Sequence, residues 1–313
     1  MDTKVINRAF GLLAFLLAFV TYSLTVQPTV AFWDCGEFAA ASIWQQVPHP
    51  PGAPLFLMIG KLFHTIIPFG DPAWRINMVS VVASAITVWL LYMIAVKVIF
   101  NFREKKIENF GEALTVFGSA FIGAAAFVFS DTFWFNAVES EVYAMSTLFV
   151  AIVVFLMMKW NEEAENPGSE RYILLIAYLI GLSTGVHLLA ILTVFSLALV
   201  VYFRKYEFSW GSFIVMGIIT VITFWIIYPG VVKYIPALLG GHFPMKNLAG
   251  EYVIEGNFVT ILALALIAFV IYLFYFGWKN NHDILKLVTM SVLLMIFRYT
   301  TYTQILVRST PNP

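Results

Sequence analysis

The sequence predicts an all-α polytopic integral membrane protein. Of 313 residues, 61% are hydrophobic and only 12% charged, about half the charge of a soluble domain. The mean hydropathy is +0.86. The apolar residues fall into charge-free runs of bilayer length. Eighteen basic residues balance 18 acidic ones, so there is neither the basic face of a nucleic-acid binder nor the charge-rich, apolar-poor composition of a disordered chain. A single cysteine excludes an internal disulfide framework and a Cys-rich metal site.

A hydrocarbon core of ~30 Å takes about 20 residues of helix. The first run, 9–29, follows Lys4 and Arg8; it lacks a small-residue cleavage site and reads as a span rather than a signal peptide. Further spans are expected at 76–100, 113–129, 143–159, 212–231, 258–278 and 284–306. Between Tyr172 and Phe203 lie 32 residues without a charge. One straight helix of that length would run ~48 Å, too long for one crossing, so two segments are expected to meet near 183–187, where Gly181, Ser183, Thr184, Gly185 and His187 gather. The total is about nine crossings, within a range of eight to ten. Lys4/Arg8, Arg103/Lys105/Lys106, Arg204/Lys205 and Lys279 put the N-terminus and these loops in the cytoplasm by the positive-inside rule. Loops 30–75, 130–142 and 232–257 then face outward, to the periplasm of a bacterium.

The chemistry-bearing residues cluster in those outer loops. Asp34 and Glu37 lie three apart in an aromatic, apolar segment. On a helix they share a face, and one can act as a general base while the other accepts from a hydroxyl; the alternative is a helix start with Asp34 as N-cap and Glu37 completing a capping box. His49 sits among Pro48, Pro50, Pro51 and Pro54, a rigid turn that cannot continue a helix; it either binds a phosphate, orients a carboxylate or only caps the turn. The apolar stretch 55–69 is short for a span and is expected to be a re-entrant or interfacial helix. Glu139 and Glu141 are either a metal- or sugar-handling pair or two solvated loop carboxylates. His187 at the helix break and Arg298 deep in the last span need a cavity, an anion or several acceptors. Both outer acid pairs sit on one side of the membrane, with no internal symmetry of the kind a transporter shows.

At these residues the chain resembles a known family. The segment FWDCGEFAAASIWQQVPHPPGAPLFLMIGKLF (32–63) resembles the WDxGEF…HPPGxPL signature of the family 117 glycosyltransferases, GT-C-type membrane proteins abundant in Bacteroidetes and similar to a eukaryotic ER protein O-mannosyltransferase family. NAVESEVYAMSTLF (136–149) resembles their VExEVY motif, GLSTGVHLLAI (181–191) their S-x-G-x-H-L segment, and ILVRSTPNP (305–313) the IRSxxNPP ending of their membrane domain. The match is weakest over 230–260. Cys35 stands where relatives carry a small residue, often serine, and the soluble domain that many relatives carry does not follow Pro313.

The resemblance implies a single GT-C-like transmembrane module over 1–313. It implies Asp34 as catalytic base and Glu37 as its support or a sugar ligand. Glu139 and Glu141 would help bind donor or acceptor, and His49, His187 and Arg298 would contact a lipid-linked phosphate. The expected reaction moves a mannose-like sugar from a polyprenyl- or dolichyl-phosphate donor to a Ser/Thr hydroxyl of an exported protein, with inversion. No cofactor and no metal is demanded, although Glu139/Glu141 leave a divalent cation open. Two rival readings are a transporter or flippase for a lipid-linked or anionic solute, and a non-catalytic membrane subunit.

Overall fold

The computed structural model describes residues 2–50, 52–103, 105–248 and 250–309. The fold is helical. Among the described residues the only β pairing is two isolated bridges, His242 with Glu255 and Lys246 with Tyr252. Among the described residues eight helical stretches are long and apolar enough to cross a membrane, in keeping with the expected all-α polytopic class. The chain divides into two compact units. One comprises Met1–Met158, Gly185–Ala190 and Thr300–Pro313; the other comprises Lys159–Thr184 and Ile191–Tyr299.

In the first unit, α1 (Thr3–Thr25), α4 (Pro72–Phe102) and α5 (Phe110–Val128) pack together. Ala14 and Ala18 of α1, Ala85 of α4, and Ala120 and Ala124 of α5 are buried in their shared core; such small residues let helices approach closely inside a bilayer, where water supplies no driving force. The two tyrosines buried in this core have partners. The Tyr22 hydroxyl donates to the Val128 carbonyl at 2.8 Å and that of Tyr92 to Asn7 Oδ1 at 2.7 Å. The start of α4 follows from its sequence: Asp71 Oδ1 accepts from the Ala73 N–H at 2.8 Å, and Pro72 occupies the first turn.

Between α1 and α4 a long loop carries α2 (Cys35–Trp44) and α3 (Pro54–Ile66). With 13 residues, α3 rises ~20 Å and is too short to cross, as expected of an interfacial or re-entrant helix. It packs on α2 where Gly60 meets Ser42; a Cβ at Gly60 would lie 2.5 Å from Ser42 Oγ. Buried Asn77 of α4 fixes the loop entry, donating through Nδ2 to the carbonyls of Gln27 at 2.8 Å and Thr29 at 3.0 Å. The Gln27 N–H donates to the Val138 carbonyl at 2.9 Å, joining this first loop to a second one that follows α5. That second loop contains a short helix, α6 (Asp131–Ala137), and leads into α7 (Val142–Glu163).

The long charge-free run breaks where expected. After α8 (Glu170–Ser183), residues 184–187 leave the helix; a 3₁₀ turn (Leu188–Leu192) leads into α9 (Thr193–Lys205). The next span departs from expectation at its far end. Following α10 (Trp210–Trp225), a wide-turn π segment (Ile226–Tyr234) carries Pro229 inside it and continues into α11 (Ile235–Leu239). The helical path therefore ends at Leu239 and not at 231. Pro229 and Gly230 look like a stop in sequence, but the chain carries Pro229, which has no N–H to donate, inside a stretch where the helical turn is widened. The chain ends with α12 (Asn257–Lys279), α13 (Asp283–Phe297) and α14 (Tyr299–Ser309).

Candidate functional site

Asp34 is the N-cap of α2, but its side chain makes no capping bond. The capping-box alternative is therefore not formed, and Glu37 is committed elsewhere. Its Oε1 accepts from the His49 backbone N–H at 2.7 Å, and its Oε2 pairs with His49 Nδ1 at 2.7 Å. The proline-rich turn makes this possible. The Gly52 N–H closes on the His49 carbonyl at 3.0 Å, and Gly52 takes φ +90°, which an L side chain resists. The other ring nitrogen, Nε2, then lies 3.9 Å from Asp34 Oδ2. Phe38 packs its ring 5.6 Å from the imidazole. The bond from His49 holds the Glu37 carboxyl below its ordinary range, and the same bond raises the imidazole. Glu37 thus fixes His49, and His49 turns its free edge toward Asp34.

Beneath this exposed rim lies a buried floor. Glu139 is 4% and Glu141 8% exposed, and Cys35 and Ser140 are fully buried, so Glu139 and Glu141 are not solvated loop carboxylates. The Cys35 thiol donates to Glu141 Oε1 at 3.8 Å, and the Ser140 hydroxyl donates to the Cys35 carbonyl at 3.1 Å. Ser80 of α4 reaches the Glu141 carbonyl at 3.5 Å, and the Val142 N–H reaches Glu141 Oε2 at 3.3 Å. Burial, then the charge of Glu141, pushes Glu139 up to about 7; burial also raises Glu141. Burial and then the two glutamates push the Cys35 thiol up to about 12. The second-loop acids therefore bear on the first turn of α2 from below, through Cys35.

This floor sets a pH dependence. A carboxyl raised from 4.5 to about 7 holds its proton in the folded protein at a pH where the unfolded chain has lost it. Stability is then full below about 4.5 and falls as pH rises toward 7. Glu139→Gln is expected to remove that slope: between pH 5 and 8 the wild-type unfolding midpoint should fall more than the variant's. Parallel pH profiles would show that Glu139 is not held protonated.

His187 lies just past the helix break, in the same unit. Its Nδ1 accepts from the Leu189 N–H at 3.2 Å, and its ring stands 5.2 Å from that of Tyr143, two residues after Glu141. The Leu55 N–H donates to the Gly185 carbonyl at 2.8 Å, tying the break to the start of α3. Arg298 belongs to the other unit. It is 2% exposed, donates to Thr184 Oγ1, to Tyr299 OH at 2.9 Å and to the Val232 carbonyl at 3.3 Å, and lies over the Tyr299 ring at 4.3 Å. The structure thus brings Asp34, Glu37, His49, Glu139 and Glu141 into one electrostatic cluster, sets His187 beside it through Tyr143, and engages Arg298 within the second unit.

Asp34, Glu37 and His49 each offer a ligand atom within 4.8 Å of the others and could hold a divalent cation; one imidazole with two carboxylates suits Mn²⁺ or Zn²⁺ better than Ca²⁺. Two features were not legible in the sequence. In sequence Cys35 is only a departure from the small residue of the resembling family, yet its thiol lies against Glu141. Trp33, immediately before Asp34, takes φ 60° and is 87% exposed; a left-handed bulky residue is strained, and strain of this kind collects at functional sites.

Residues 34–210 match the family described as Protein O-mannosyl-transferase TMEM260 N-terminal domain. Among curated proteins, the chain is 29% identical over 162 residues to the Protein O-mannosyl-transferase tmem260 of Dictyostelium discoideum, covering 51% of this chain and 18% of that protein. It is 27% identical over 162 residues to the mouse Protein O-mannosyl-transferase TMEM260, covering 52% of this chain and 21% of that protein. The aligned region thus spans about a fifth of the length of each of these relatives. No solved structure matches the chain. The family match begins at Asp34 itself, takes in the rim and the floor of the acid cluster, and runs over more than half of the sequence: the chain belongs to the TMEM260 N-terminal domain family.

Proposed function

We propose that this chain carries the reaction centre of a membrane protein O-mannosyltransferase, taking a mannose-like sugar from a polyprenyl- or dolichyl-phosphate donor to a Ser/Thr hydroxyl of an exported protein. The observation that carries the reading is the Asp34 carboxylate: exposed, uncommitted to its helix, and faced by an imidazole that Glu37 holds in place. In an inverting displacement the acceptor oxygen attacks the sugar C1 opposite the phosphate. The bond from C1 to the phosphate oxygen breaks, the hydroxyl proton passes to Asp34, and lipid phosphate departs with the electron pair. His49 positions Asp34 and offers an N–H toward the developing charge. Glu139 and Glu141 hold the start of α2, and with it Asp34, from below.

The face bearing Asp34 is the outer one in this reading, where a lipid-anchored donor keeps its tail in the bilayer and its C1 at the surface. No divalent cation is required, because the Glu37–His49 pair satisfies itself. The description of the family and the names of the relatives support the assignment to a protein O-mannosyltransferase. The purified chain, with co-extracted lipid, is expected to transfer sugar from a panel of polyprenyl-phosphate sugars to a Ser/Thr peptide. Donor retained without transfer would favour a non-catalytic subunit; no donor binding at all would remove the proposal.

A further inference from the structure

A second site lies at the opposite end of α1. Lys4, Arg8, Leu12 and Phe15, with Asn7 beside them, line a groove of about 500 Å³ together with Trp89 and Met93 of α4. The spacing of four, four and three places the first four on one face of α1; Trp89 and Met93, four apart, form the opposing wall. Gly11 lets that wall close in: a Cβ there would lie 3.1 Å from Trp89 Nε1 and 3.3 Å from Tyr92 Cδ1. Asn7 is fixed by the Tyr92 hydroxyl at 2.7 Å.

The groove has a polarity. Its two cations sit at the end of the helix, and its other walls are apolar or aromatic. From Lys4 to Phe15 the helix rises ~16 Å, enough to run beside much of an acyl chain. Lys4 and Arg8 are exposed, and neither forms an ion pair with a carboxylate among the described residues. The nearest acid in sequence, Asp2, is turned to the helix start, where it accepts from the Lys4 N–H at 2.9 Å. Arg8 and Thr25 are 17 residues apart on α1, ~25 Å of rise, and the acid cluster lies beyond Thr25, so this groove is no part of the proposed reaction centre.

We propose that this groove is a binding site for one anionic phospholipid, its phosphodiester on Lys4 and Arg8 and one acyl chain along Leu12, Phe15, Trp89 and Met93. Charge complementarity selects the headgroup: two cations meet an anion with no competing carboxylate. The apolar run selects an amphiphile over a free anion. Each cation near a membrane surface contributes about a fivefold preference for anionic lipid, so the pair predicts a selectivity of roughly 30-fold.

The test measures phospholipid retained by the full chain, by native mass spectrometry from micelles containing phosphatidylglycerol and phosphatidylcholine of equal chain length. About one phosphatidylglycerol per chain is expected, with inorganic phosphate failing to displace it. Lys4→Gln/Arg8→Gln should abolish the selectivity. Leu12→Trp, which fills the groove and keeps both cations, should abolish retention. Equal retention of the two lipids by the wild type would overturn the site. So would wild-type selectivity in either variant, since adsorption to surface cations alone survives Leu12→Trp and a purely apolar cleft survives loss of the cations. Displacement by inorganic phosphate would identify a simple anion site and overturn the lipid.

Discussion

Asp34→Asn is expected to lower sugar transfer by about 10²–10⁴-fold, the range that a positioned general base contributes, while leaving the fold intact. The fold should survive because the Asp34 side chain caps nothing and stands exposed, with His49 Nε2 no nearer than 3.9 Å. Asparagine keeps the volume and can no longer take the proton. Glu37→Gln should cost less, since the His49 backbone N–H still has a carbonyl to meet and only the charge-assisted half of the contact weakens. Initial rates at saturating donor, with thermal unfolding in parallel, check both. Wild-type transfer by a folded Asp34→Asn protein would place the base elsewhere.

Gly181→Val is expected to destabilise the second unit by about 3 kcal/mol or more, beyond the ordinary range for overpacking. At Gly181, α8 and α13 come so close that a Cβ would lie 2.8 Å from Met295 Cα and 3.1 Å from the Met295 carbonyl oxygen. Those are backbone atoms, which cannot swing aside as the end of a side chain could. The helices would have to part, and the neighbouring contact of Thr184 with Arg298 would loosen with them. Gly217 of α10 is the matched control, because nothing stands within 4 Å of its Cβ position; valine there should change the unfolding midpoint little. Equal effects at the two glycines would mean that α8 and α13 are not held at this distance.

Which parts of this were legible in the sequence follows from the range of each interaction. Spans depend on the local density of apolar residues, so 76–100, 143–159 and 258–278 fall within α4, α7 and α12, while 9–29 overruns the end of α1 at Thr25. The break near 183–187 is legible for the same reason: polar and glycine residues punctuate an otherwise unbroken run. The proline cluster marks a rigid turn before α3. Long-range partnership is not local. Glu37 finds His49 across 12 residues, and Cys35 finds Glu141 across 106, so spacing alone left Asp34/Glu37 between a functional and a capping reading, and Glu139/Glu141 between a functional and a solvated one. The i,i+2 pair Glu139/Glu141 carries no helical signature, and its burial depends on Ser80 of α4 and on α2 arriving from elsewhere in the chain. The extension of the helical path to Leu239 was hidden behind Pro229, which reads as a terminator unless the turn widens.

The placement of Cys35 has a kinetic consequence. It is the sole cysteine of the chain, its thiol is fully buried, and its pKa is pushed up to about 12. At neutral pH almost none of it is thiolate, and none of it meets solvent while α2 rests on the loop before α7. An alkylating reagent can reach it only in those intervals when the two loops separate. Its modification rate therefore counts openings of the proposed reaction centre, much as amide exchange counts local unfolding. A molecule that closes the loops over Asp34 would protect a sulfur that it never touches.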